Sequence, residues 1–224
     1  MHGTSMISHG GRLPPAYCKG AQAYDRDTAA FQEYRRMTVD ALPLRVGDVV
    51  LDVGCGTGLC FAEILDKVGD SGRVIGIDAS ADMLAVARRR TADHGWSNVS
   101  LVESAARDAR IPVTADAAVF CAVHDILRSP PALHHVIDGL RPGAWVAAGG
   151  GKWAAPWMVA VNVHVFLLHR PYVSSFEGFL EPWSHLEDLL EDIRVTESAF
   201  GAGYVAVGRV PDRAGRSTRV TPSR

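Results

Sequence analysis

Asp52 stands two residues ahead of alternating glycines, Gly54, Gly56 and Gly58, and near the end of the β-branched run Val49-Val50-Leu51-Asp52-Val53. A turn without side chains lets a ligand lie against the backbone, and the helix that follows offers its N-terminus to a carboxylate or phosphate. Asp78 follows Gly58 by 20 residues and closes a second apolar run, Val74-Ile75-Gly76-Ile77. A carboxylate at that place can accept both hydroxyls of a ribose. The dinucleotide fingerprint Gly-x-Gly-x-x-Gly needs a third glycine at position 59, where this sequence has Leu59. The charge of Asp52 also disfavours a pyrophosphate and favours a cationic ammonium or sulfonium. The residues therefore describe a pocket for a nucleoside that carries a cation.

His124 and Asp125 follow a third apolar run, Ala117 to Cys121. An imidazole with an ordinary pKa near 6.5 suits proton removal from an oxygen or nitrogen, with Asp125 as an orienting partner. The alternative is a histidine hydrogen-bonded within its loop.

These groups need a frame that brings the ends of separate strands together. Apolar residues recur at helical spacing from Asp25 to Leu42, and Pro43 stops them. After strand Val49–Val53, a helix is expected from Leu59 to Val68, closed by Gly69. Strand Val74–Ile77 leads to Asp78, and Ser80 caps a helix through Ala92. Strand Val99–Val102 and strand Ala117–Cys121 follow. Ser129-Pro130 opens a helix that Arg141-Pro142-Gly143 is expected to end, ahead of a fifth strand, Trp145–Ala148. Alternation of this kind predicts an α/β protein with a doubly wound, mostly parallel sheet and right-handed crossovers.

The sequence changes texture after strand five. Residues 150 to 183 carry Trp153, Trp157, Phe166, Tyr172, Phe176, Phe179 and Trp183, which fit an acceptor pocket or core packing. Trp157 to Leu168 is read as a core or pocket-lining helix, although its alternating valines also suit a strand. Ser184-His185-Leu186-Glu187 has the form of a capping box. Two final strands are expected near Ile193 to Thr196 and Tyr204 to Arg209, which brings the sheet to seven. Residues 1–22 read as a flexible lead-in, 23–210 as the domain, with 150–192 as its substrate-side embellishment, and 211–224 as a disordered basic tail.

The 224 residues hold 23 Lys plus Arg against 25 Asp plus Glu, a net charge of -2, and 47% are hydrophobic. The tail's four Arg against one Asp leave the rest of the chain at -5, which disfavours nucleic acid as a partner. The most apolar stretch has twelve residues and is interrupted by Asn162 and His164, too short for stable membrane insertion. The four cysteines, Cys18, Cys55, Cys60 and Cys121, lack metal-ligand spacing, and no N-terminal apolar stretch resembles a signal peptide. A reduced, cytoplasmic protein without a metal is expected.

The run Val50-Leu51-Asp52-Val53-Gly54-Cys55-Gly56-Thr57-Gly58 resembles the first motif of class I S-adenosylmethionine-dependent methyltransferases, and Gly76-Ile77-Asp78-Ala79-Ser80 resembles their second. Ala115-Asp116 and Leu140-Arg141-Pro142-Gly143 extend the likeness over about residues 45 to 150. The resemblance implies a Rossmann-like class I methyltransferase fold, S-adenosylmethionine as cofactor, S-adenosylhomocysteine as product and a small-molecule acceptor methylated on oxygen or nitrogen. It places Gly54, Cys55, Gly56 and Gly58 around the methionine part, Asp52 at its amino group, Asp78 at the ribose, and Ala79 and Met83 at the adenine. Ser104 and Ala105 stand where many members have an aspartate for the adenine amino group. Cys121 falls at the cofactor edge of strand four, and Tyr24 and Tyr34 at a helix that covers the cofactor or packs the core. A phospholipid or amine N-methyltransferase is the alternative enzyme. A non-catalytic S-adenosylmethionine-binding protein is the alternative from another class, and homodimerisation is left open.

Overall fold

The structure is a computed structural model that describes residues 21–212, so Cys18, the lead-in up to residue 20 and the four tail arginines lie outside the described residues. The first helical segment is broken. Helix α1, Ala21–Asp27, passes through a short 3-10 turn, Ala29–Phe31, into α2, Gln32–Asp40. Thr28 makes the break: its hydroxyl donates to the Tyr24 carbonyl at 2.8 Å, and its backbone leaves helical geometry.

The sheet runs through β1 Val49–Val53, β2 Arg73–Asp78, β3 Val99–Glu103, β4 Ala115–Cys121, β5 Leu140–Gly151, β6 Glu191–Ser198 and β7 Gly203–Arg209. Their order across the sheet is β3-β2-β1-β4-β5-β7-β6, with β1 to β5 parallel and β7 antiparallel to both of its neighbours. The order reverses between β1 and β4, which opens a crevice at their carboxyl ends. Helices α3, Phe61–Val68, and α4, Ala81–Asp93, carry the chain between the first strands. The turn α5, His124–Leu127, and helix α6, Pro130–Asp138, link β4 to β5. One face packs Leu51, Ile75, Phe120 and Leu133, and the other packs Val50, Phe61, Ile64 and Val119.

Several expectations from sequence are corrected. Helix α6 stops at Asp138, and Arg141-Pro142-Gly143 belongs to β5, because the start of β5 pairs with Ala115 and Arg141 Nε donates to Asp116 at 2.6 Å. Asp116 also accepts from the Val49 amide at 2.8 Å, so this resemblance motif fastens the starts of three strands. Helix α7, Val159–His169, is the element of the alternating valines, and of its two expected roles it takes pocket lining rather than core, since only Val165 is buried while Leu168 and His169 line a cavity. The Asn162 side chain fixes its entry through the Ala154 amide and the Ala154 and Ala155 carbonyls. The capping box does not form. Ser184 Oγ accepts from Arg128 Nη1, and Glu187 accepts from the Trp183 indole, so α8, Ser184–Glu187, is a single turn.

Candidate active site

The glycine turn begins where β1 ends. The amides of Gly54 and Cys55 both donate to the Ile77 carbonyl, at 2.7 and 3.0 Å, which folds the turn back over β2. Gly54 needs its glycine twice over: its φ is +73°, and a Cβ would lie 2.5 Å from Val123 Cγ1. The turn is thereby pressed against the end of β4.

Asp52 is buried beneath this turn, with Oδ2 unpartnered. Burial, reinforced by the charge of Asp78 and opposed by Arg35, pushes its carboxyl up to about 7. Asp78 is held open at the crevice: Oδ2 accepts from the Gly56 amide and Oδ1 from the Ser80 amide, both at 2.8 Å. Each oxygen keeps lone pairs for a further donor. Ser80 caps α4 through the Met83 amide, and Met83 packs its methyl beside Gly56. Ser104 turns its hydroxyl onto the Ala105 carbonyl at 3.1 Å, while its amide donates to the Asp78 carbonyl.

The N-terminal helices close over the turn. Thr57 Oγ1 donates to Asp25 at 2.6 Å, Asp25 pairs with Arg90, and Arg90 Nε donates to the Thr57 carbonyl. Arg35, on α2, is 5% exposed. It donates to the Thr28 carbonyl and hydroxyl and to Gln32, and among the described residues no carboxylate pairs with it. A buried guanidinium without a carboxylate in contact is costly, and an anionic ligand reduces that cost. Sequence reasoning missed Arg35, because an arginine beside Arg36 on an amphipathic helix looks solvated.

A cavity opens between α1, α2, α7 and the ends of β4 and β5, lined among others by Tyr24, Tyr34, Arg35, Cys121, His124 and His169. Burial pushes the Tyr24 hydroxyl up to about 12, and its ring meets Tyr172 edge-on at 5.7 Å. Tyr34 packs against Gly203. The neighbouring Cys121 and burial push the Cys60 thiol up, and Cys55, Cys60 and Cys121 are free thiols.

His124 is 7% exposed, and Nε2 lies 3.0 Å from the Glu177 carbonyl. A carbonyl only accepts, so Nε2 carries the proton and Nδ1, buried without a partner, keeps its lone pair. Burial lowers its pKa, outweighing the Glu177 hydrogen bond and the charge of Asp125. Asp125 is not the orienting partner expected: both of its oxygens accept from the Ser174 amide at 3.2 Å, and Glu177 orients the ring instead. His169 was also missed, whereas Phe179 is one of the aromatics expected at an acceptor pocket or in the core. The Phe179 ring stands between both imidazoles, 4.8 Å from His124 and 5.3 Å from His169. Among the described residues, no group of three or more His, Cys, Asp or Glu gathers to hold a metal, and no helix is long and apolar enough to cross a membrane.

Residues 50–143 match a family model described as a methyltransferase domain. The chain is 27% identical over 215 residues to the aklanonic acid methyltransferase DauC of Streptomyces sp. strain C5, covering 91% of this chain and 96% of that protein. It is 35% identical over 136 residues to an uncharacterized 37.1 kDa protein in transposon TN4556 of Streptomyces fradiae, where the match covers 56% of this chain and only 36% of the relative's length. Among solved structures, a SAM dependent methyltransferase from Aquifex aeolicus superimposes with a TM-score of 0.61 at 21% identity, over 85% of this chain and 96% of its own. That likeness is one of fold.

Proposed function

We propose that the chain is a class I S-adenosylmethionine-dependent methyltransferase, a reading supported by the methyltransferase-domain match, the methyltransferase relative and the shared fold, and that it methylates an oxygen or nitrogen of a small-molecule acceptor. The observation that carries the reading is the buried, unpartnered Oδ2 of Asp52 beneath a glycine turn, with the buried guanidinium of Arg35 near enough for its charge to act on it and, among the described residues, in contact with no carboxylate. A carboxylate and a guanidinium with spare valence in one crevice fit the ammonium and carboxylate of an amino acid. The donors present therefore fit S-adenosylmethionine. When bound, that cofactor supplies a methyl group already activated on a sulfonium.

Asp52 would hold the ammonium and Arg35 the carboxylate. Asp78 would accept the ribose hydroxyls, with Ala79 and Met83 beside the adenine and Ser104 contributing through its backbone. The open faces of Gly54, Gly56 and Gly58, with Cys55 and Cys121, would border the methionine part, and Tyr24 and Tyr34 would cover it. His124 presents a neutral Nδ1 that can take the acceptor's proton. Alignment and exclusion of water supply much of the remaining rate. The name of the aklanonic acid methyltransferase relative supports a small organic acceptor.

Calorimetric titration with S-adenosylmethionine and S-adenosylhomocysteine, with NAD as control, tests the reading. Micromolar binding of the first two and none of NAD is expected; binding of NAD alone would overturn it.

A further inference from the structure

The cavity walls hold a selection rule that the cofactor does not use. Once Asp52 and Arg35 are committed to the ammonium and carboxylate, the polar side chains left around the aromatic walls include His124 and His169, and among the described residues no Asp or Glu lines the cavity. The two histidines share one arrangement. His169 Nδ1 lies 2.9 Å from the Val165 carbonyl and must donate to it, as His124 Nε2 donates to Glu177. Each ring is thereby fixed with its second nitrogen as a hydrogen-bond acceptor. Gly151 makes the space for the second ring, since a Cβ there would fall 2.1 Å from His169 Nε2. Burial lowers the pKa of both, so both are neutral near pH 7.

Two neutral acceptors suit hydroxyl donors. They offer nothing to balance an ammonium, and burying an unpaired charge is costly. Aromatic faces from Tyr24, Phe31, Tyr172 and Phe179 suit a flat apolar frame.

Resting on the methyltransferase reading above, we infer that the acceptor is a flat hydroxylated compound of the phenol or enol class. His124 takes the reacting hydroxyl's proton onto Nδ1, and His169 is a specificity-determining residue that accepts a hydrogen bond from a second hydroxyl. The proton leaves the acceptor oxygen for His124 Nδ1, and the oxygen's electron pair would form the new bond to the methyl carbon as that carbon's bond to the sulfonium sulfur breaks, its electron pair going to sulfur with S-adenosylhomocysteine as the leaving group. His124 returns the proton to water after release.

The test uses the full chain saturated with S-adenosylhomocysteine and three probes: 2,3-dihydroxynaphthalene, 2,3-dimethoxynaphthalene and 2-(aminomethyl)naphthalene. Calorimetry should give the dihydroxy compound at least tenfold tighter binding than either of the others. His169→Leu should cut that preference at least threefold and His169→Gln, which keeps an acceptor, should restore it. S-adenosylhomocysteine affinity should stay the same in both variants. Equal or tighter binding of the amine, or an undiminished preference in His169→Leu, overturns the inference. So does failure of the dihydroxy compound to bind protein that holds S-adenosylhomocysteine. Failure of S-adenosylhomocysteine itself to bind overturns the cofactor reading instead. If His169→Leu does not fold, the probe comparison on the unaltered chain together with His169→Gln decides.

Discussion

The pH dependence of cofactor binding follows from the burial of Asp52. Its carboxyl is held at about 7, against an ordinary value near 3.9, and only the ionised form attracts an ammonium. With that value, about 3% of Asp52 is ionised at pH 5.5 and about 76% at pH 7.5. The association constant for S-adenosylhomocysteine should therefore rise about 25-fold over that interval and then level off. Calorimetry in matched buffers measures it, and Asp52→Asn should bind weakly with a flat profile. The same burial acts on folding with a definite sign. Between about pH 4 and 7 the unfolded chain releases this proton while the folded chain keeps it, so stability falls as pH rises. The accumulated loss above pH 7 is about 4 kcal/mol, at about 1.4 kcal/mol for each tenfold step. Asp52→Asn should thus raise the Tm of the unliganded protein at pH 8 by on the order of 10 °C, with the gain vanishing toward pH 4. A flat binding profile in the unaltered chain, or an Asp52→Asn variant no more stable at pH 8, would refute the reasoning.

Asp78→Ala removes the acceptor of the Gly56 and Ser80 amides as well as the ribose partner, and calorimetry should read at least a tenfold loss of S-adenosylhomocysteine affinity. His124→Gln should lower kcat by about 100-fold and leave that affinity within about twofold, and unchanged turnover would remove His124 from the chemistry. Gly54→Ala puts a Cβ 2.5 Å from Val123 at a φ of +73°, which should cost about 2 kcal/mol in urea unfolding. Asp25→Ala frees Thr57 and Arg90. Because that pair is partly exposed, stability should change by less than about 1 kcal/mol, while amide hydrogen exchange in α1 speeds up.

Local features of the site were legible in the sequence because they depend on neighbours in the chain. The glycine turn, Asp78 and the Ser80 cap are each marked by residue types at fixed short spacing within the chain, even though the turn and Asp78 then bond to each other across 22 residues, and the strand-helix alternation that places them is a short-range pattern. Arg35 and His169 escaped notice because their roles depend on tertiary placement. Arg35 gains its meaning from burial under Thr28, and His169 from a helix that arrives from beyond β5. The capping box and Asp125 misled for the reverse reason. Their side chains have the right chemistry at the right spacing, yet Arg128 and Ser174, far away in sequence, reach them first.

The place of β7 bears on how the molecule is made during synthesis. The last strand described lies inside the sheet, paired on one side with β5 and on the other with β6, and Tyr204, Val205 and Ala206 are buried. On a ribosome, the chain through β5 can emerge with both halves of the crevice present while the outer edge of β5 still lacks its neighbour. β6 leaves the exit tunnel before it has a strand to pair with. An open, apolar strand edge invites pairing with other chains. The nascent protein is therefore most in need of a chaperone in the interval between the emergence of Gly151 and that of Arg209.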